Sequence, residues 1–279
     1  MRRTLLLPLA LCGALLSPGA AAEAAPRPPV GQVFSYGGHA RQNITVYGAP
    51  SARRPALVIV HGGSWARDTD WSGRARWFAA RGFTVYDTDY RLTSDAAWPA
   101  QRDDVLAALR WVRHREHGER PLVLGSSAGG HLAVQAASYG AGASRARAVV
   151  ALSPVASPYR AWADGGARGA DADRRALRRA AVRLAGCSPD LGGIRCWARW
   201  DDLAARTHAS GAEDAPLFLL HSAGDFVAPA HSVELASAQR RAGLADVTVR
   251  TLRGSAHGGA LLKTPGTARS VLRWLRAHA

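Results

Sequence analysis

Six short apolar runs, separated by stretches of helical character, restrict this chain more than any other feature. Ala56-Leu-Val-Ile-Val60, Phe83-Thr-Val-Tyr86, Leu122-Val-Leu124, Ala148-Val-Val-Ala-Leu152, Leu217-Phe-Leu-Leu220 and Val247-Thr-Val-Arg-Thr-Leu252 each read as a strand. Apolar residues at consecutive positions suit parallel strands covered on both faces. Between these runs, Trp71 to Arg81, Ala100 to Arg115, Gly130 to Tyr139 and Ser232 to Ala242 carry helical spacing, and Thr267 to Ala277 forms a closing helix. Strands and helices alternating at this length require right-handed crossovers. The reading is an α/β fold: a mostly parallel twisted sheet flanked by helices. Gly31 to Tyr36 and Ile44 to Tyr47 add antiparallel edge strands.

One interval breaks the alternation. Residues 157–214 hold no good strand, but they contain a helical pattern at Asp173 to Leu184, two cysteines, and Trp197-Ala-Arg-Trp200. A structureless loop of that length is uncommon in a compact domain. The interval therefore reads as a helical lid inserted into a domain spanning 31–279, with Trp197 or Trp200 either lining a pocket or filling the lid's own core.

The N-terminus has a different character. Met1-Arg2-Arg3, the largely apolar Thr4 to Ser17 and the small residues Ala20-Ala-Ala22 have the layout of a secretory signal peptide over 1–22. A flexible Ala- and Pro-rich leader follows over 23–30. The expected location is secreted or periplasmic. Of three cysteines, Cys12 would leave with the signal, so Cys187 and Cys196 remain as a pair in an oxidising compartment. A disulfide is expected between them. No compact metal-ligand spacing surrounds them, and neither a metal nor a cofactor is expected.

The formal charge of +15 loses two with Arg2 and Arg3, and Lys263 is the only lysine. The arginines are scattered and not interleaved with aromatics, which excludes a nucleic-acid module. A weak association with anionic envelope surfaces fits this balance. The oligomeric state is not legible.

The chemistry sits where the strands end, because ligands of open α/β sheets bind beyond the carboxyl ends. Gly125-Ser-Ser127-Ala-Gly129 follows one strand and opens a helix. In a G-x-S-x-G turn the central serine is lifted out of the sheet. Asp225 follows the Leu217 strand and His257 follows the Val247 strand, so the chain order is Ser, Asp, His. A serine hydroxyl is a poor nucleophile until an imidazole takes its proton, and a carboxylate must hold that imidazole. Ser127, His257 and Asp225 are the candidates. His61-Gly62-Gly63-Ser64-Trp65 ends the first core strand, where the Gly62 and Gly63 amides, with that of Ala128, could hold a developing oxyanion. Trp65 either packs beneath this loop or walls the acyl site, Ser126 is a candidate pocket residue, and His61 reads as a loop anchor.

Taken in order, H-G-G-S-W, D-Y-R-L (Asp89 to Leu92), W-P-A-Q-R-D-D-V (Trp98 to Val105), G-S-S-A-G-G-H and the late G-D and A-H-G resemble the α/β-hydrolase superfamily. They are most similar to its esterase/lipase branch with an H-G-G-x oxyanion loop, which includes carboxylesterases related to hormone-sensitive lipase and to feruloyl or acetylxylan esterases. The likeness covers roughly residues 55 to 275. It implies the same roles for Ser127, Asp225 and His257, and cleavage of a small-molecule or glycan-borne ester, short-chain or acetyl, through an acyl-enzyme. Ser64 stands where some relatives carry a third glycine. The H-G-G-x-W form also occurs in kynurenine formamidases, so amidase or peptidase chemistry on the same triad is the alternative. A hydrolase-fold binding protein without turnover is the third reading.

Overall fold

The computed structural model describes residues 31–48 and 54–279. The signal-peptide and leader segments, with Cys12, lie outside the described residues. Eight strands form one sheet: β1 (Gln32–Ser35), β2 (Asn43–Tyr47), β3 (Ala56–Val60), β4 (Thr84–Thr88), β5 (Leu122–Ser126), β6 (Ala148–Leu152), β7 (Leu217–Ser222) and β8 (Val247–Leu252), in the spatial order 1-2-4-3-5-6-7-8. From β4 to β8 neighbouring strands are parallel, while β1–β2 and β2–β4 are antiparallel.

The apolar runs form the sheet because both of its faces are covered. Along β3, Val58 and Val60 point into one core and Leu57 and Ile59 into the other. In the parallel register Leu57 stands opposite Leu122 and Leu122 opposite Ala148, so equivalent side chains join the same layer. Helices α1 (Ser72–Ala79) and α8 (Thr267–Ala277) cover the Leu57 face. Helices α2 (Ala100–Arg115), α3 (Ala128–Ser138) and α7 (Ala230–Ala242) cover the other. β8 differs from the other parallel strands: it is the sheet edge, and only Val247 in it is buried. Having a neighbour on one side only, it keeps Thr248, Arg250 and Thr251 in water.

The interval 157–214 contains three α-helices among its described residues: α4 (Pro158–Asp164), α5 (Ala172–Ala185) and α6 (Ile194–Leu203). The sequence pattern predicts only the second. Local signals set its ends: Asp171 accepts from the Arg174 amide at 2.7 Å, and Gly186 leaves the helix at φ 69°. Leu177, Ala180, Ala181 and Leu184 pack into the core that holds α3, so α5 is fused to the sheet layer. Asp202 on α6 accepts from Trp98 at 2.6 Å and from Arg102 at 2.7 Å, tying the insertion to α2 and the loop before it.

Cys187 and Cys196 form a disulfide that joins the end of α5 to α6. Closing a loop of this size is worth about 2.5–3 kcal/mol in the chain-entropy model. Replacing both cysteines with serine is therefore expected to lower Tm by about 5–10 °C in a calorimetric scan. Catalytic constants of the folded variant should stay unchanged, since neither cysteine reaches the cleft described below. An unaltered Tm would show that the crosslink does not stabilise the native chain.

Candidate active site

Helix α3 starts one residue after Ser127, and this handover is unusually tight. Ser127 sits at φ 53°, ψ −115°, in backbone space that a non-glycine residue occupies at a cost of order 1–3 kcal/mol. Its neighbours hold it there: its amide donates to Leu152 O at 2.8 Å and its carbonyl accepts from the His131 amide at 2.9 Å. A Cβ on Gly129 would lie 2.2 Å from the carbonyl oxygens of both Val60 and His61. Only glycine lets α3 close onto the end of β3, which explains the small residues around the serine.

Ser127, His257 and Asp225 converge from three loops at the carboxyl ends of β5, β8 and β7. His257 Nε2 is 2.9 Å from Ser127 Oγ, and its Nδ1 is 2.8 Å from Asp225 Oδ1. A ring nitrogen facing a carboxylate carries the proton, so Nδ1–H donates to Asp225 and Nε2 is free to accept from the serine hydroxyl. The Asp225 side chain is fully buried. Its Oδ1 also accepts from the Val227 amide at 3.0 Å, and its Oδ2 accepts from Ser153 Oγ at 2.5 Å. Phe226 packs against the imidazole, with ring centroids 4.2 Å apart.

Neither Ser153 nor Phe226 stands out in the sequence. Ser153 follows β6 at φ 48°, and its hydroxyl also accepts from the Gly258 amide at 2.9 Å. One side chain thus clamps both the carboxylate and the loop carrying His257. The available signal was position alone, one residue past a buried strand at the functional edge of the sheet.

The Gly62, Gly63 and Ala128 amides find no hydrogen-bond acceptor among the described residues. Gly63 turns at φ 113°, where a Cβ would lie 2.0 Å from Arg67 O. Ser64 and Trp65 follow at φ 54° and 56°, two consecutive non-glycine residues in the left-handed region. Trp65 holds that turn. It is fully buried, and its indole N–H donates to His131 Nδ1 at 3.2 Å. His131 Nε2–H in turn donates to Leu203 O at 2.8 Å. Burial, offset only in part by that bond, lowers the His131 pKa to about 4 and keeps the ring neutral. Trp65 is therefore a prop beneath the loop and not a pocket wall: its whole ring is spent on packing.

Ser126 does border the cleft, but its hydroxyl is occupied by the Gly259 amide at 3.0 Å. It braces the His257 loop. Trp200 is buried in the insertion with its N–H on Cys187 O, and Trp197 packs against Tyr159 with its face partly in solvent. Neither reaches the cleft, whose insertion contribution is Asp173 at the start of α5. The open cleft holds about 360 Å³, with Gly62, Gly63, Ser127, Phe226, His257 and Trp71 among its walls.

Strand order, helical layers and a serine turn after β5 define an α/β-hydrolase, and the chain has that fold. Residues 44–146 match the BD-FAE family model. Over 100 residues the chain is 40% identical to carboxylesterase NlhH of Mycobacterium tuberculosis, an alignment covering 32% of this chain and 31% of that one. The chain thus aligns with about a third of the length of this relative. Esterase B of Lactobacillus rhamnosis superposes with a TM-score of 0.72 at 22% identity, covering 92% of this chain and 87% of that one. An acetyl ester-xyloside bifunctional hydrolase of Caldicellulosiruptor lactoaceticus gives 0.69 at 19% identity, covering 91% and 98%.

Proposed function

We propose that this chain is an exported serine hydrolase that cleaves short-chain or acetyl carboxylic esters. The unbroken hydrogen-bond relay from Ser127 through His257 to Asp225, beside amides that find no acceptor among the described residues, carries the reading. As Ser127 Oγ attacks the ester carbon, His257 Nε2 takes its proton. Asp225 stabilises the imidazolium, and the tetrahedral oxyanion is held by the Gly62, Gly63 and Ala128 amides. The imidazolium then gives its proton to the departing alkoxide, leaving an acyl-serine. Water activated by the same nitrogen hydrolyses that ester and restores the enzyme.

The cleft's lining supports a small acyl group: Gly62, Gly63, Ser64, Thr69, Asp70 and Asp173 border it, and no leucine, isoleucine or valine is among its described walls. The esterase and acetyl ester hydrolase names among its similar proteins support an ester as substrate. Export rests on the residue pattern of 1–22 and fits the Cys187–Cys196 bridge. The test is a p-nitrophenyl ester series from acetyl to decanoyl, run beside acetylated xylan and acetyl p-nitroanilide. We expect kcat/KM to be highest at two to four acyl carbons and the anilide to be cleaved far more slowly. A maximum at long chains, or an anilide turned over as fast as its matched ester, would refute the substrate reading.

A further inference from the structure

His61 lies directly behind the Gly62–Gly63 turn and is only 2% exposed. Its Nδ1 is 2.6 Å from Gly62 O, a carbonyl that can only accept. Its Nε2 is 3.1 Å from Asp89 Oδ1 and 3.6 Å from Asp68 Oδ1, carboxylates that also accept. A neutral imidazole has one N–H and would present a bare lone pair to an acceptor at one of these ends. Both ends are satisfied together only by the doubly protonated ring.

We propose that His61 is a buried imidazolium whose Nδ1–H polarises the Gly62–Gly63 peptide, strengthening the Gly63 amide as an oxyanion donor. The two ends of one peptide unit are coupled. A charged donor on the carbonyl draws electron density from the nitrogen, and the N–H on the far side becomes more positive. The inference rests on the reading that the Gly63 amide faces the oxyanion, and makes His61 a positioning residue that acts through the peptide without touching substrate.

The surroundings favour the charged ring. Asp89 at the end of β4 is itself held by Arg41 and by the Tyr90 amide. Tyr90 stacks on the imidazole with centroids 4.4 Å apart, and its hydroxyl donates to His61 O. Asp68, Asp70, Asp87 and Tyr47 share the small cavity beside the ring, from the loop after Gly63 and from β4 and β2. Asp87 is pushed up to about 7, chiefly by burial, so its carboxyl is largely neutral on the acid side of pH 7. For His61 itself, burial acts to lower the pKa. The bonds to Asp89 and Gly62, with the charges of Asp68 and Asp89, outweigh it and hold the pKa above the ordinary histidine value. The polarising charge is therefore complete below the ordinary histidine range and is lost as pH rises through the raised value.

The experiment is ¹⁵N NMR of histidine-labelled full-length protein, with His61 assigned by difference from His61→Gln. At pH 7 both His61 ring nitrogens should carry protons, with EDTA present and equally with added Zn²⁺. An Nε2 without a proton, whether bare or taken by the added ion, overturns the proposal. Asp68 is largely exposed, so Asp68→Asn should fold normally. It should move the His61 titration to lower pH and carry the alkaline fall in kcat with it, leaving KM unchanged. A His61 titration that moves without kcat following overturns the coupling. His61→Gln keeps an N–H but no charge and should lower kcat roughly tenfold at little change in KM; if it does not fold, Asp68→Asn decides, with resonances assigned by its shifts. Retained turnover in Ser127→Ala would instead sink the hydrolase reading, whatever the His61 spectrum shows.

Discussion

Replacing Ser127 with alanine should lower kcat on p-nitrophenyl acetate by about 10⁵–10⁶-fold, the range in which a nucleophile's removal disables a triad acting as a unit. The substitution removes one oxygen from a residue that is 8% exposed and leaves the backbone bonds to Leu152 and His131 in place. Its Tm should therefore stay close to that of the parent, or rise slightly as the hydroxyl is lost. Labelling by a fluorophosphonate, which requires an activated serine, should disappear with activity. Retained labelling at another position would show that the nucleophile has been misassigned.

The second large effect concerns Asp225, where two substitutions should separate orientation from charge. Asp225→Ala is expected to cost about 10⁴-fold in kcat, since the imidazole then loses both the acceptor for Nδ1–H and the counter-charge. Asp225→Asn should cost clearly less, and the reason is particular to this site. Two donors, His257 Nδ1–H and the Val227 amide, converge on Oδ1, so the amide oxygen of asparagine is held there. Its NH₂ then faces Ser153 Oγ, which has a lone pair to receive it. The productive tautomer survives and only the charge is lost. Steady-state kinetics of the two variants decides the matter: equal losses would mean that the amide flips and forces the proton onto Nε2. In that case the Ser153 clamp does not select the orientation.

Much of the fold was legible because the strands are apolar on both faces, a pattern that survives without knowing which helix covers which side. The helices Ala100–Arg115 and Thr267–Ala277 and the strands Ala56–Val60 and Ala148–Leu152 have the boundaries their periodicity indicates. The insertion was less legible. α6 has a strongly amphipathic face, with Cys196, Trp200 and Leu203 buried, but Gly192 and Gly193 before it and the cysteine spacing mask the pattern. α4 is only seven residues long, too short for periodicity to register.

Trp65 shows where residue type leaves two readings open. A tryptophan just past two glycines at the end of a strand suits a prop beneath the loop as well as a pocket wall. The bond from its indole to His131, which lies 66 positions further along the chain, selects the prop. His131 and Ser153 show the same difficulty. Each acts through partners far away in sequence, Leu203 for one and Asp225 and Gly258 for the other. Histidines with a buried, neutral fate, such as His221 with its pKa lowered by burial to about 4, are not distinguishable by spelling from those that exchange protons.

The amino-acid sequence by itself determined the sheet, the turn chemistry of G-S-S-A-G and H-G-G, and the order in which a serine, a carboxylate and an imidazole reach the strand ends. Those are local properties, carried by side-chain period and by the small residues that sharp turns demand. Tertiary structure alone decided the bracing: Ser153 on the carboxylate, Ser126 on the histidine loop, Trp65 and His131 under the glycine turn, and His61 between a carbonyl and two carboxylates. Apart from those of His61, whose partners lie within 28 positions, these hydrogen bonds join residues 66 to 133 positions apart, so they form only when the sheet has brought the loops together, and nothing in a neighbouring residue announces them.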